Sequence, residues 1–106
     1  MGILTMPQGT ILNVRAVRVV GYVRVELDGQ ELFSATGPSE LVARPLSAGT
    51  ARIDATATRT GDQAIDCLLA FSVGRDQEAP VLQSQMQLTD EYPGKSLVLQ
   101  VEEARS

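Results

Sequence analysis

The chain has 106 residues, which fits one domain spanning 1–106, and its 43% hydrophobic and 21% charged residues exclude wholesale disorder. Histidine and tryptophan are absent and there is one cysteine, which excludes His-based acid–base catalysis, Ser-His and Cys-His nucleophile pairs and the usual zinc sites. A formal net charge of −4 argues against nucleic acid, since a phosphate-binding surface shows a basic excess.

Hydrophobic alternation with period two runs through the chain, and no sustained helical period appears. Leu12, Val14 and Ala16 share one phase, whereas Val17, Val19, Val23, Val25 and Leu27 share the other. The shift near Arg15–Val17 predicts a β-bulge, and Gly21 predicts a bend where the chain crosses between sheets. Asp28-Gly29 is a strong hairpin signal joining strands 22–27 and 30–36. Gly37-Pro38 breaks the chain, and a short strand over 40–44 ends before Pro45.

Ser47-Ala48-Gly49 then turns into strand 50–59, where Ala51, Ile53, Ala55 and Ala57 point one way. Alanine is a poor strand former, so this small inward set implies tight packing. Gly61-Asp62 leads into 64–73, and a loop over 74–80 precedes strand 81–89. A turn at Asp90–Gly94 precedes a last strand over 96–103. Short strands separated by turns every 8–12 residues predict an antiparallel β-sandwich of seven or eight strands, immunoglobulin-like or a jelly-roll variant.

The segments Val25-x-Leu27-Asp28-Gly29, Leu46-x-x-Gly49, Ile53-x-Ala55-x-Ala57, Gly61-Asp62 and Phe71-x-Val73, in that order, resemble bacterial immunoglobulin-like modules. The resemblance covers residues 22–73, about half the chain, and two further strands follow where such modules end. It implies a spacer or binding unit of a surface protein, a phage tail or a multidomain enzyme.

No basic segment followed by an apolar one stands near Met1, and no apolar run approaches the roughly 20 residues of a membrane helix. The sequence therefore reads as soluble, with neither signal peptide nor transmembrane segment, and leaves the compartment open. A lone cysteine makes no internal disulfide. Cys67 falls in the alternating set Ile65, Cys67, Leu69, Phe71 and Val73, so it reads as a small core residue.

Carboxylates at Asp76/Glu78 and Asp90/Glu91 would offer hard ligands to calcium only if both loops met at one end, but their spacing matches no dedicated calcium loop and solvated loop charge is the commoner explanation. No metal or other cofactor is expected. Tyr22 and Tyr92 are the aromatic candidates for a sugar contact, although on separate segments they form no recognisable platform.

Strand 64–73 is apolar in both phases, which suits a strand covered on both sides. Leu68 and Ala70 then need cover from a partner or from the loop 37–48, and Val20 and Val98 are expected to extend the same surface. Gln83, Gln85 and Gln87 line one face of strand 81–88, where uncharged amides can hydrogen-bond across an interface or simply face water.

These features predict a non-enzymatic structural or protein-interaction module, such as a virion or surface-assembly component. It would work as a homo-oligomer whose register is set by the glutamine row and arginine–carboxylate pairs. The alternative is a carbohydrate-binding module built on Tyr22, Tyr92 and loop carboxylates, with or without calcium.

Overall fold

The alternating segments form nine strands in the computed structural model, which describes residues 4–75, 80 and 82–103. They are β1 (Leu4–Pro7), β2 (Ile11–Arg18), β3 (Tyr22–Leu27), β4 (Gln30–Ala35), β5 (Val42–Pro45), β6 (Gly49–Thr58), β7 (Asp66–Gly74), β8 (Leu82–Thr89) and β9 (Gly94–Glu102). One sheet has the order β1-β9-β6-β3-β4 and the other β5-β2-β7-β8. The described residues contain no helix, and the two sheets pack as a β-sandwich.

The inward phases meet in one core. Leu12, Val14 and Ala16 of β2, Cys67, Leu69, Phe71 and Val73 of β7, and Met86 and Leu88 of β8 come from one sheet. Val23 and Val25 of β3, Ala51, Ile53, Ala55 and Ala57 of β6, and Leu99 and Val101 of β9 come from the other. The small alanines thus belong to a central strand, β6, paired on both sides and facing the core.

The predicted irregularities occur where the phase breaks. The β2–β7 register shifts between Ala16 and Arg18, so Val17 bulges outward and is 38% exposed. The chain then leaves the four-stranded sheet and enters the five-stranded one through Gly21, at φ 109°. Asp28 and Gly29 both have positive φ, 50° and 83°, as a tight two-residue hairpin between β3 and β4 requires.

The strand that the alternation does not announce is β1, which pairs in parallel with β9. Four residues ending in proline carry too little periodicity to mark a strand, and their pairing partner lies at the far end of the chain. The buried Thr10 secures this corner by donating its hydroxyl to the Pro7 carbonyl at 2.6 Å.

Candidate functional site

Strand β7 lies in the middle of the four-stranded sheet, so its outward side chains have neighbours on both sides. Cross-strand register aligns them in rows: Asn13–Ser72–Gln83, Arg15–Ala70–Gln85 and Arg18–Leu68–Gln87. The outer face is therefore a floor of Leu68, Ala70 and Ser72. Polar and basic β2 side chains flank it on one side, and the three exposed glutamines of β8 on the other.

Leu68 and Ala70 are half-buried. Their cross-strand neighbours are the long side chains of Arg18 and Gln87 beside Leu68 and of Arg15 and Gln85 beside Ala70, a kind of side chain whose stem can shield an apolar neighbour. Loop 37–48 contributes less than expected. Ser39 is held against β2, its N–H donating to the Ala16 carbonyl at 3.0 Å and its hydroxyl accepting from the Ala16 N–H at 3.1 Å. From that loop only Leu41, 59% exposed, lines the concavity over Ala70. This concavity measures about 600 Å³ and is bordered by Asn13, Arg15, Ser72, Gln83 and Gln85.

The predicted interface residues do not form one patch. Leu68, Ala70, Gln83, Gln85 and Gln87 share the outer face, and Val20 sits opposite Asp66 where the chain leaves that sheet. Val98 lies in β9 of the other sheet, opposite Arg52. Its phase along the strand is outward, but period two does not say which sheet a strand joins.

Arg18, Arg24, Arg52 and Arg59 make ion pairs within the chain. Arg18 donates from Nε and Nη2 to the two carboxylate oxygens of Asp66, both at 2.9 Å. Gln87 Nε2 adds a bond to Asp66 at 3.3 Å. Arg24 lies 3.3 Å from both Glu26 and Glu31, and Arg52 pairs with Asp54 at 3.0 Å. Among the described residues no carboxylate lies within ion-pair distance of Arg15.

Hydrogen bonding from Arg18 holds the Asp66 carboxyl below its ordinary value, and the Ser96 hydroxyl does the same for Asp54. Both groups are depressed in the folded state, so their stabilisation is present above the unfolded carboxylate range. It is lost as pH falls through the folded values, which lie below the ordinary carboxylate range. The urea midpoint should fall as pH is lowered from about 5 to about 3, and Asp66→Asn should flatten that slope modestly because the pair is exposed. An Asp66→Asn slope equal to the wild type's would show that the pair does not couple to folding.

The other candidates are dispersed. Tyr22 opens β3 and Tyr92 occupies the turn before β9, with β6 between those strands. Tyr92 is 58% exposed, with Lys95 Nζ 6.0 Å from its ring centre. Asp90 accepts from Arg59 at 2.7 Å and from the Ile65 N–H at 3.3 Å, so it ties two corners together. Asp76 and Glu78 lie outside the described residues. No cluster of three or more metal-ligating side chains occurs among those described. Cys67 is fully buried, and burial pushes its thiol up from the ordinary value, away from a reactive thiolate.

The fold and this surface define a two-sheet, all-β sandwich with a largely neutral outer face on its four-stranded sheet. The chain matches no protein family, and no match was found among curated proteins or solved structures.

Proposed function

We propose that the protein is a non-enzymatic structural or protein-interaction module that assembles with copies of itself through the β7–β8 side of its four-stranded sheet. The observation that supports this most directly is the uncharged run formed there by Leu68, Ala70 and Ser72 beside Gln83, Gln85 and Gln87. Elsewhere on the sandwich, the outward residues of the five-stranded sheet are laced by ion pairs within the chain. Interfaces place apolar and uncharged hydrogen-bonding groups at their centre and charge at the rim. Here Arg18 and Asp66 stand at the margin of such a centre. The likeness of residues 22–73 to bacterial immunoglobulin-like modules agrees with a spacer or binding role.

Light scattering on a sizing column should give a stable multiple of 11.3 kDa through about a hundredfold dilution. A mass of one chain at every concentration would overturn the reading.

One observation favours carbohydrate as a second reading. The concavity over Ala70 is ringed by the hydrogen-bonding side chains of Asn13, Arg15, Ser72, Gln83 and Gln85. This site differs from the tyrosine site expected from the sequence. Glycan-array binding abolished by Asn13→Ala and Gln85→Ala would support it, and absence of any signal would remove it.

A further inference from the structure

The four strands at the sheet edges are not alike. Strand β1 has four residues and ends in Pro7, and β5 has four residues that include Arg44 and end in Pro45. At the edge strand β4, the register with β3 shifts between Val25 and Glu26, and Glu31 is held by Arg24. Short length, proline, bulges and charge are the devices that keep edges from pairing with another chain. Strand β8 has none of them. It runs eight residues, Leu82–Thr89, without charge or proline, and pairs with β7 in unbroken register.

The direction of its backbone groups follows from the hydrogen bonds nearby. Asp66 exchanges both backbone bonds with Val20, at 3.1 and 3.3 Å, so its N–H and C=O point towards the β2 side. Antiparallel pairs alternate between bonded and non-bonded. Asp66↔Thr89 is therefore a non-bonded pair, and so are Leu68↔Gln87, Ala70↔Gln85 and Ser72↔Gln83. The bonds between Ala16 and Ser39 on the opposite side of β2 agree with this alternation. The N–H and C=O groups of Gln83, Gln85 and Gln87 consequently point out of the edge that no described strand pairs.

We propose that two copies of the chain join by antiparallel pairing of β8 with β8 of the second copy about a twofold axis at Gln85, which fuses their four-stranded sheets into one. The proposal rests on the self-assembly reading above and assigns its seam. Gln85 pairs with its own copy, and Gln83 pairs with Gln87 of the other chain in both directions. The residues with outward-pointing backbone groups thus meet as hydrogen-bonded pairs, and their amide side chains stack in cross-strand pairs on the outer face.

The charge pattern suits a second copy as occupant. Each chain carries −4, so contact between copies requires a segment that brings no acid opposite itself, and β8 is neutral along its whole length. On the inner side, Ser84 comes opposite Met86 of the second copy. Ser84 and Met86 both line a cleft of about 450 Å³ together with Phe71, Leu97 and Lys95.

The test combines charge swaps with amide exchange. The wild type should have twice the 11.3 kDa chain mass, with Gln83, Gln85 and Gln87 amides protected from hydrogen exchange measured by NMR. Gln85→Lys or Gln85→Glu alone places like charges opposite each other and should weaken the dimer by up to about fivefold. Mixing the two variants should restore it, a rescue specific to a seam centred on residue 85. Leu68→Glu, one strand away from the seam, should leave the dimer mass unchanged.

A dimer whose Gln83, Gln85 and Gln87 amides exchange freely, and which Leu68→Glu dissociates while Gln85→Lys does not, would overturn this inference and place the contact on the sheet face. The self-assembly reading would survive that outcome. A wild-type monomer at the highest attainable concentration would overturn both.

Discussion

Gly21→Ala should lower stability by about 3 kcal/mol or more, with a fall in melting temperature of roughly 10–20 °C. Two independent costs combine at this position. The backbone stands at φ 109°, a conformation L side chains rarely adopt, and a Cβ there would lie 2.7 Å from the Thr58 carbonyl oxygen. That oxygen belongs to the end of β6, which is already paired with β3, so neither side of the contact can easily give way.

Gly29 supplies the internal control. Its φ is 83°, but nothing lies within 4 Å of where an alanine methyl would stand, so Gly29→Ala should cost only about 1 kcal/mol. Thermal unfolding of both variants at one fixed protein concentration keeps any assembly contribution constant. Equal losses at the two glycines would mean that the close approach at the sheet crossing relaxes without cost.

The second large effect separates two neighbours in one strand. Leu69 is completely buried in the core, and Leu69→Ala should cost about 3–4 kcal/mol through lost transfer energy and the cavity left behind. Leu68 points to the outer face between Arg18 and Gln87 and is only half-buried. Leu68→Ala should therefore cost about 1 kcal/mol or less, and Leu68→Glu should still fold. Urea titrations of the purified variants read this difference directly. Comparable destabilisation by Leu68→Ala and Leu69→Ala would mean that both faces of β7 are structural core.

Much of the architecture was legible because its signals are local. Alternation along 50–59 and 64–73 identified the inward sets of β6 and β7, and their residues are buried as that phase requires. The phase break near Val17 announced the bulge, Gly21 the passage between sheets, and Asp28-Gly29 the hairpin. Each depends on backbone sterics or side-chain period over a few neighbouring residues, which a single sequence carries.

What the tertiary structure decided is pairing. Leu68 and Val98 are both outward-facing, yet β7 and β9 belong to different sheets, and the strand period has no term for sheet membership. Strand β1 became recognisable only beside β9, almost a full chain length away. Arg18 and Arg24 found Asp66 and Glu31 on neighbouring strands through cross-strand register, not through sequence spacing. The free edge of β8 likewise exists because β7 took one side of that strand and no described strand took the other. Local chemistry determined which residues turn inward and where the chain bends, while non-local strand pairing decided which outward residues become neighbours and which backbone groups stay available to a second chain.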